Sequence, residues 1–592
     1  MSGDTEGRLH ALPETKTTIV TPDRKRGNAY QKSWAVAQAL LLATVITQFI
    51  LIHRGYVFGS VDVCQPVDQS HDRPTAHSKG IPDYYQTSPE LFPGPTPTGS
   101  PAFLAETRPV FTGTTYIPNS PLETQVPITG NKRDGNIFQL HGQLSHYFPN
   151  PDGFGVDEYA LPKNASIVQL HMLSRHGARY PTSSEGFASL TRKIANHTSE
   201  TGHFKGPLDF LNTWDYKLGA AILVPVGKQE LFDSGTLHQI MYGHLFPNNG
   251  TKLIARSTTQ DRMVESAEYF LAGFFGLGWT DNATLVLNRE GSSGPWNNTL
   301  AGYFNCNNSQ TMSNGGRDAG LEWQSIYLVD ATKRLNSYAP GFNWTTSDAH
   351  AAQSLCAYET VALGYSAFCG LFTYDEWEGY EYTTALEFGG GAMFQSPTGR
   401  AMGAGYVAEI LARLQHRLIT EPTAQVNVTL DSNPDTFPLD QALNFDFSHD
   451  TNIASILTAF GLTQFAPVLP TDHLERNRSL IVSHLTPFAA RLDMEIIETP
   501  KPLDPSRKSG DSWDEKGDVT RYMHFILNQR TIPLGKSFPE CGDRDDGWCE
   551  LGTFLKVQST KLKEAQYEYS CFGDYEDVPY GSITNGVPLG KK

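Results

Sequence analysis

Three short apolar runs constrain the fold of this chain more than any other feature. They span residues 166–173, 253–255 and 443–447, and each ends in a cluster of polar side chains. Helix-like sequence follows each cluster, namely SSEGFASLTRKIA, DRMVESAEYFLAGFF and TNIASILTAFGL. A repeated strand, polar loop and helix is typical of an α/β fold with a mostly parallel sheet flanked by helices. Because ligands bind beyond the carboxyl ends of such strands, we expect the three clusters to meet at one edge of the sheet.

The first polar cluster lies in the segment LSRHGARYPT, at the end of the run at residues 166–173. It places Arg175, His176 and Arg179 close together. TSSE at residues 182–185 matches a capping box, which predicts that a helix begins there and directs its N-terminus toward the loop. Free N–H groups and the positive end of a helix dipole attract anions. The segment therefore predicts an anion site beside a nucleophile.

Phosphoryl transfer is the chemistry that fits these side chains. A phosphoryl group carries negative charge on its oxygens, so its site needs fixed positive donors. We predict that Arg175, Arg179 and Arg256, at the end of the second run, bind the phosphate through their planar guanidinium groups. His176 would be the nucleophile and form a phosphohistidine that water then hydrolyses. The carbonyl of Gly177 is placed to orient the ring by accepting a hydrogen bond from it.

The third run ends in FSHD, which supplies the remaining groups of this interpretation. His449 would donate to the phosphate, and Asp450 would protonate the leaving alkoxide. Asp450 must be protonated for that step, which acid conditions, burial or nearby phosphate charge favour. Each of these side chains also has an ordinary structural interpretation, as a surface residue, an ion pair or a structural histidine. Their shared position at strand ends favours the joint site.

Several other function classes lack support. The formal net charge is −17, whereas nucleic-acid-binding proteins usually present a basic face, so we predict no nucleic-acid partner. The 18 histidines include no H-E-x-x-H motif and no Asp-rich ligand cluster occurs, which predicts no metal. No P-loop, dinucleotide fingerprint or G-x-S-x-G motif occurs, and we predict no cofactor. The sequence carries no signal for an oligomeric state.

The N-terminal region predicts membrane attachment. Residues 1–32 read as a basic cytosolic tail, and residues 33–53 as a transmembrane signal anchor, because SWAVAQALLLATVITQFILI contains no charged residue. Basic residues before this segment orient it as a single-pass type II anchor, with the catalytic part in the lumen or outside the cell. A cleaved signal peptide, giving a secreted protein, is the alternative. Residues 54–135 read as a Pro/Ser/Thr-rich stalk or linker, and residues 136–592 as the globular domain.

Sequons and cysteines support translocation. N-x-S/T sequons all follow the apolar segment and predict a glycosylated ectodomain. They occur at Asn164, Asn196, Asn249, Asn282, Asn297, Asn307, Asn343, Asn427 and Asn477. In an oxidising compartment the 7 cysteines read as three disulfides plus one leftover thiol. Their spacing alone leaves the pairing open.

LSRHGARYPT and FSHDTN together resemble the motifs of the histidine acid phosphatases, and specifically of the fungal phytases. CAYETVALGYSAFCGLFTYDEW, GRAMGAGYVAEILARL and TPFAARLDMEI are also similar to phytase segments, and the resemblance covers roughly residues 141–574. It implies a large α/β domain with a smaller α-helical domain inserted between the two motifs, and no metal. The residues to which it carries the roles described above are Arg175, His176, Arg179, Arg256, His449 and Asp450.

The resemblance also implies a cysteine pairing. The three implied disulfides are Cys356–Cys369, Cys541–Cys549 and Cys306–Cys571. Cys64, in the predicted stalk, is left over, as a free thiol or as a link between two chains.

The activity implied by the resemblance is hydrolysis of small-molecule phosphomonoesters, including phytate (myo-inositol hexakisphosphate), at acid pH. Phytase pockets surround phytate with lysines, whereas this chain has Glu185, Phe187, Asn212 and Phe388 where basic residues are expected. A broad-specificity acid phosphatase with little preference for phytate is therefore one alternative. A non-catalytic ectodomain that binds phosphorylated ligands is the other.

Overall fold

The computed structural model describes residues 128–130, 135–182, 187–200, 202–291, 296–312, 315–507 and 517–590. The predicted cytosolic tail, the signal anchor, nearly all of the stalk, Cys64, Glu185 and most of the predicted capping box lie outside the described residues. Among the residues that it does describe, no helix is both long and apolar enough to cross a membrane.

An eight-stranded mixed sheet forms the centre of the described structure. Its strands are β1 (Ser166–Arg175), β2 (Leu253–Thr258), β3 (Ala283–Asn288), β4 (Leu443–Ser448), β5 (Arg491–Thr499), β6 (Thr520–Leu527), β7 (Arg530–Ile532) and β8 (Cys549–Glu550). β3, β2, β4 and β1 lie side by side in parallel. β5, β6 and β7 continue the sheet in antiparallel order, and β8 pairs with β6.

The predicted α/β fold is confirmed, and the three predicted strands, β1, β2 and β4, are neighbours in the parallel half of the sheet. The other half is antiparallel and comes from the C-terminal part of the chain. There β6 and β7 form a hairpin across Asn528 and Gln529, whose φ angles are 49° and 65°. Positive φ at both turn residues matches the right-handed twist of paired strands.

Both faces of the parallel half are covered. All six residues of β4 are buried. On one face Met172 of β1 packs in a cluster with Phe270 and Phe445. On the other face Leu173 packs in a cluster with Ile453. Burial on both faces explains why these strands read as nearly continuous apolar runs rather than as alternating sequence.

Helices surround the sheet and occupy the long segments between its strands. They are α1 (Phe187–Ser199), α2 (Pro225–Tyr242), α3 (Asp261–Phe275), α4 (Asn307–Thr311), α5 (Gly315–Tyr327), α6 (Val329–Ser337), α7 (Thr346–Leu363), α8 (Tyr374–Ala392), α9 (Gly399–Leu414), α10 (Val428–Asp431), α11 (Asp450–Phe460), α12 (Val482–Leu485), α13 (Leu551–Glu564) and α14 (Tyr567–Phe572). Short 3₁₀ helices span Ile137–Gln139, Gly142–Leu144, Gly206–Asn212, Gly243–Leu245, Trp279–Asp281, Thr299–Asn305, Ala367–Leu371, Thr463–Phe465, Leu534–Lys536 and Pro539–Cys541.

The described chain between β3 and β4 is helical and contains no strand. Capping boxes start two of its helices, Thr345 with Asp348 at α7 and Thr373 with Glu376 at α8. In each box a side chain satisfies a backbone N–H group that the helix itself leaves free. α7 and α8 contribute to a separate core that includes Trp377. A helical insertion between the two motifs is what the sequence predicts; the domain limits themselves stay a prediction.

Three disulfides join parts of the described chain. They are Cys306–Cys571, Cys356–Cys369 and Cys541–Cys549, the pairing that the family resemblance implies. Cys306–Cys571 ties α14 to the start of α4 across a sequence separation of 265 residues.

Candidate active site

The register of the sheet brings the ends of β1 and β4 together. The two strands pair in parallel, with Arg175 opposite Ser448. His176 therefore leaves β1 beside the point where His449 and Asp450 leave β4. The rings of His176 and His449 lie edge to face, with centroids 5.7 Å apart. The predicted meeting of polar clusters at the carboxyl edge of the sheet is confirmed for these two strands.

His176 is buried, and its ring is held by its own backbone. Nδ1 lies 2.8 Å from the carbonyl oxygen of Gly177. Because a carbonyl oxygen only accepts, this contact assigns the ring proton to Nδ1 and leaves the lone pair on Nε2. Burial, with the charges of Arg175, Arg179 and Arg262, holds the pKa of His176 well below its ordinary value. A neutral ring with a free Nε2 is the form that a nucleophile needs.

Helix α2 fixes the loop that carries His176. The N–H group of Ala178 donates to the Glu230 carboxylate at 2.7 Å, and the other oxygen of Glu230 accepts from the N–H group of Tyr147 at 2.8 Å. A Cβ atom on Gly177 would collide with the backbone of Gly227 in the first turn of α2. Glycine at position 177 therefore permits this close approach of loop and helix.

Arg175 is fully buried and spans several backbone groups. Its guanidinium pairs with the Asp450 carboxylate, and Nη1 donates to the carbonyl oxygens of Gln143 and of Thr486, the latter at 2.9 Å. Its central carbon lies 4.6 Å from the ring centroid of Phe488. Burial lowers the pKa of Arg175 to about 10, against the raising effect of Asp450. The guanidinium is thus a fixed positive charge beside the two histidines.

Asp450 is the first residue of α11, and its surroundings favour the ionised form of its carboxyl group. Burial raises its pKa, but the charges of Arg175 and Arg179 and a 2.7 Å hydrogen bond from the N–H group of Thr451 outweigh burial and hold the pKa below its ordinary value. A bound phosphate would add negative charge and compete for the arginines, which raises the pKa of Asp450. Protonation of Asp450 is therefore coupled to occupation of the site.

Arg179 lies in the same loop and is also buried. Its Nη1 donates to the carbonyl oxygen of Tyr180 at 3.0 Å and to the hydroxyl of Tyr358, on α7, at 3.1 Å. These contacts connect the loop after β1 to the helical region. The charge of Arg179 acts on both His176 and Asp450, so it belongs to the cluster at the sheet edge.

The structure does not bring Arg256 into the cluster at the sheet edge. Its side chain is only 1% exposed and pairs with Asp446 at 2.7 Å and with Glu409 at 2.7 Å. Asp446 also accepts from Arg413 at 3.0 Å. The cause is the position of Arg256 inside β2, which continues to Thr258 instead of ending at residue 256. Arg256 is therefore the centre of a buried ion cluster under the sheet edge.

Arg262 is the basic residue that the sequence interpretation missed. It is the second residue of α3, just beyond the exit of β2. Its charge acts on His176, while the charges of Asp450 and Glu290 act on Arg262 itself. Burial and the neighbouring Arg179 lower its pKa. Applying the strand-exit rule to the first turn of the following helix, rather than to the last residues of the strand, would have found it.

Two cavities flank the cluster. One, of about 290 Å³, reaches Thr451 next to Asp450. The other, of about 550 Å³, reaches Gln143, whose carbonyl oxygen accepts from Arg175. Glu387 lines both cavities, Phe388 lines the smaller one and Arg317 the larger one. Burial raises the pKa of Glu387 to about 7, against the lowering effect of Arg317.

Two other positions where basic residues are expected do not line either of these cavities. Phe187 is buried and packs edge to face on Tyr358, with centroids 5.7 Å apart. Asn212 pairs with the backbone of Phe204 through both atoms of its amide, at 2.9 and 3.0 Å. Both side chains therefore have structural contacts. The described residues also contain no group of three or more His, Cys, Asp or Glu side chains arranged to hold a metal ion.

Known proteins share this arrangement of sequence and fold. The chain is 32% identical to Phytase A of Aspergillus fumigatus over 435 residues, which cover 70% of this chain and 87% of that protein. It is 33% identical to Phytase A of Emericella nidulans over 448 residues, or 70% of this chain and 89% of that protein. The crystal structure of the phytase from D. castellii matches the fold with a TM-score of 0.59 at 22% identity, over 74% of this chain and 88% of that one.

A sequence profile of the histidine phosphatase superfamily (branch 2) matches residues 166–528. The match spans both motifs and covers more than half of the chain. Together with relatives above 30% identity over most of their length, it shows that this chain belongs to the histidine phosphatase superfamily, branch 2.

Proposed function

We propose that this chain hydrolyses phosphomonoesters, phytate among them, through a phosphohistidine on His176 at acid pH. The state of His176 is the main support for this proposal. Its ring is buried, Gly177 fixes the ring proton on Nδ1, and three arginine charges surround it. Arginine charges stabilise the phosphoryl group, and a lone pair on Nε2 is free to attack it. The Phytase A relatives support phytate as one substrate.

The proposed reaction has two steps. In the first, Nε2 of His176 attacks phosphorus, the bond from phosphorus to the ester oxygen breaks, and Asp450 gives its proton to the leaving alkoxide. In the second, water attacks phosphorus, the N–P bond breaks, and the Asp450 carboxylate takes a proton from that water. Arg175, Arg179 and Arg262 hold the phosphoryl oxygens in both steps, and His449 donates to them.

Replacing His176 with Ala separates this proposal from a non-catalytic phosphate-binding ectodomain. If His176 is the nucleophile, release of inorganic phosphate from an aryl monophosphate should fall by at least about 10⁴-fold. The remaining arginines should still bind inorganic phosphate, which calorimetry measures. Turnover that survives in His176→Ala would contradict the proposal. Phosphate binding without turnover in the wild-type chain would favour the non-catalytic alternative.

The cavities favour a second candidate, a broad-specificity acid phosphatase with little preference for phytate. Glu387 and Phe388 line the cavity beside Asp450, so this wall supplies no positive charge to the outlying phosphates of phytate. With a pKa near 7, Glu387 is uncharged at acid pH and can donate to a neutral leaving group. Comparable kcat/KM values for phytate and for simple aryl phosphates would support this candidate. A strong preference for phytate would contradict it.

We further propose that residues 33–53 anchor the chain in a membrane, with the catalytic part in an oxidising compartment. The uncharged segment and the basic residues before it support the anchor. Three disulfides support the compartment. If the anchor is retained, the full chain should stay in the membrane fraction after extraction with carbonate. Release of a chain that begins after the apolar segment would instead support the secreted alternative.

A further inference from the structure

Glu290 is a buried carboxylate directly behind His449. We propose that Glu290 is a positioning residue that fixes the orientation of the His449 ring for binding the phosphoryl group. This inference rests on the proposed function, because the phosphoryl group is the ligand that His449 would contact. It assigns to Glu290 a role in the reaction without direct contact with the substrate.

The contact between the two side chains determines which ring atom faces a ligand. Nε2 of His449 lies 3.0 Å from Oε2 of Glu290, and the two side chains are 5% and 2% exposed. Since Glu290 occupies Nε2, Nδ1 is the ring nitrogen left to donate to a phosphoryl oxygen. The ring also lies edge to face with His176, so this donor is beside the nucleophile.

Glu290 is itself held from three directions. Its N–H group donates to the hydroxyl of Thr259 at 3.0 Å. Its Oε1 accepts from the Gln260 amide and, at 3.4 Å, from the hydroxyl of Tyr303. Thr259 and Gln260 follow β2, whereas Glu290 follows β3. The carboxylate is therefore fixed by the exits of two adjacent strands, and rotation of the His449 ring would break its hydrogen bond to a rigid partner.

The charges around the pair favour an ionised carboxylate. Burial raises the pKa of Glu290, but the hydrogen bond with His449, the charge of His449 and the charge of Arg262 on α3 outweigh burial and hold the pKa below its ordinary value. The carboxylate is therefore an acceptor for the Nε2–H group of His449. Glu290 differs from the buried carboxylate of Asp446, which arginines neutralise, because its closest basic partner is a histidine at the reaction centre.

The test is Glu290→Gln, which keeps the size of the side chain and removes its charge. We expect kcat/KM for an aryl monophosphate to fall about 10- to 100-fold, the usual effect of losing a charge-assisted hydrogen bond. Glu290→Asp keeps the charge and should recover most of the lost kcat/KM, which a side chain needed only for packing would not do. Glu265→Gln, which removes a carboxylate paired with Lys228 on the protein surface, should change kcat/KM less than twofold.

A double-mutant cycle shows whether Glu290 acts through His449. In a His449→Ala background, Glu290→Gln should cause no further loss of kcat/KM. An undiminished loss in that background, or no recovery in Glu290→Asp, would overturn the proposal. Binding of inorganic phosphate, measured by calorimetry, gives a readout without turnover. If the wild-type chain hydrolyses nothing, the proposed function fails, but the positioning role is still decided by whether Glu290→Gln weakens phosphate binding.

Discussion

At the scale of single residues, Arg256 and Arg262 are expected to have different roles, one in stability and the other in catalysis. Arg262→Ala should lower kcat/KM for an aryl phosphate by about 10²–10³-fold with little change in stability, because it removes a donor to the phosphoryl group. Arg256→Ala should cost about 3–5 kcal/mol of unfolding free energy, because it leaves the buried carboxylates of Asp446 and Glu409 short of a partner. Steady-state kinetics and urea unfolding of both variants measure the difference. A folded, stable Arg256→Ala that has lost phosphate affinity would restore the sequence-based assignment.

Asp450 provides a second prediction at this scale. Asp450→Asn should lower kcat about 10²–10⁴-fold for an alkyl phosphate, whose alkoxide needs a proton to leave. The loss should be smaller for p-nitrophenyl phosphate, because its leaving group is stable as an anion. The ratio of the two kcat values in wild type and variant is the measurement. Equal losses on both substrates would argue that Asp450 only orients Arg175.

Site residues could be identified from the sequence only where they lie close together in it. Arg175, His176 and Arg179 lie in one loop, and His449 and Asp450 in another, so each group can be identified from its own segment. Glu290 could not be identified in this way, because its partner His449 is 159 residues away and only the fold joins them. The position of Arg262 depended on where β2 ends, and strand ends are poorly determined by local sequence.

At the scale of elements, we expect the stability of the fold to depend on pH through a buried carboxyl group on helix α8. Glu381 on α8 is buried, and its carboxyl accepts from the N–H groups of Val482 at 2.7 Å and Ser483 at 3.4 Å. Burial raises its pKa to about 7. The unfolded chain has a lower pKa for this group, so its contribution to stability is complete below pH ~4.3 and is lost as the pH rises through about 7.

The measurement is the free energy of unfolding in urea between pH 4.5 and 8. The wild-type chain should lose stability across this range. Glu381→Gln should lose about 3 kcal/mol less than wild type, because its amide does not titrate. An identical pH dependence in the two proteins would show that the Glu381 carboxyl is ionised throughout.

Prediction of the elements from sequence succeeded where an apolar run was buried on both faces. β1, β2 and β4 are such runs, and each is followed by a helix, so the parallel half of the sheet could be predicted. The antiparallel half could not, because the pairing of β5 with β1 joins segments that no local pattern connects. The hairpin of β6 and β7 also lacks the usual glycine, with Asn528 and Gln529 at its turn.

At the scale of the whole molecule, two disulfides enclose loops of very different length. Cys306–Cys571 closes a separation of 265 residues and Cys541–Cys549 one of 8. Because longer loops lose more chain entropy when closed, replacing both cysteines of the first pair with Ser should cost more stability, within a range of about 2–5 kcal/mol. Urea unfolding of the two double variants gives the ranking. A larger loss from the short loop would mean that local packing, rather than loop closure, decides their contributions.

For the molecule as a whole, we expect turnover to pass through a phosphate bound covalently to His176. The most direct measurement is rapid quenching of the enzyme in alkali during hydrolysis of a phosphate-labelled monoester, followed by peptide mapping. Alkali is used because an N–P bond to imidazole hydrolyses readily in acid. We expect label on the peptide that contains His176, formed and lost as fast as product appears, and no label in His176→Ala. Full turnover with no label on that peptide, or with label on another residue, would contradict it.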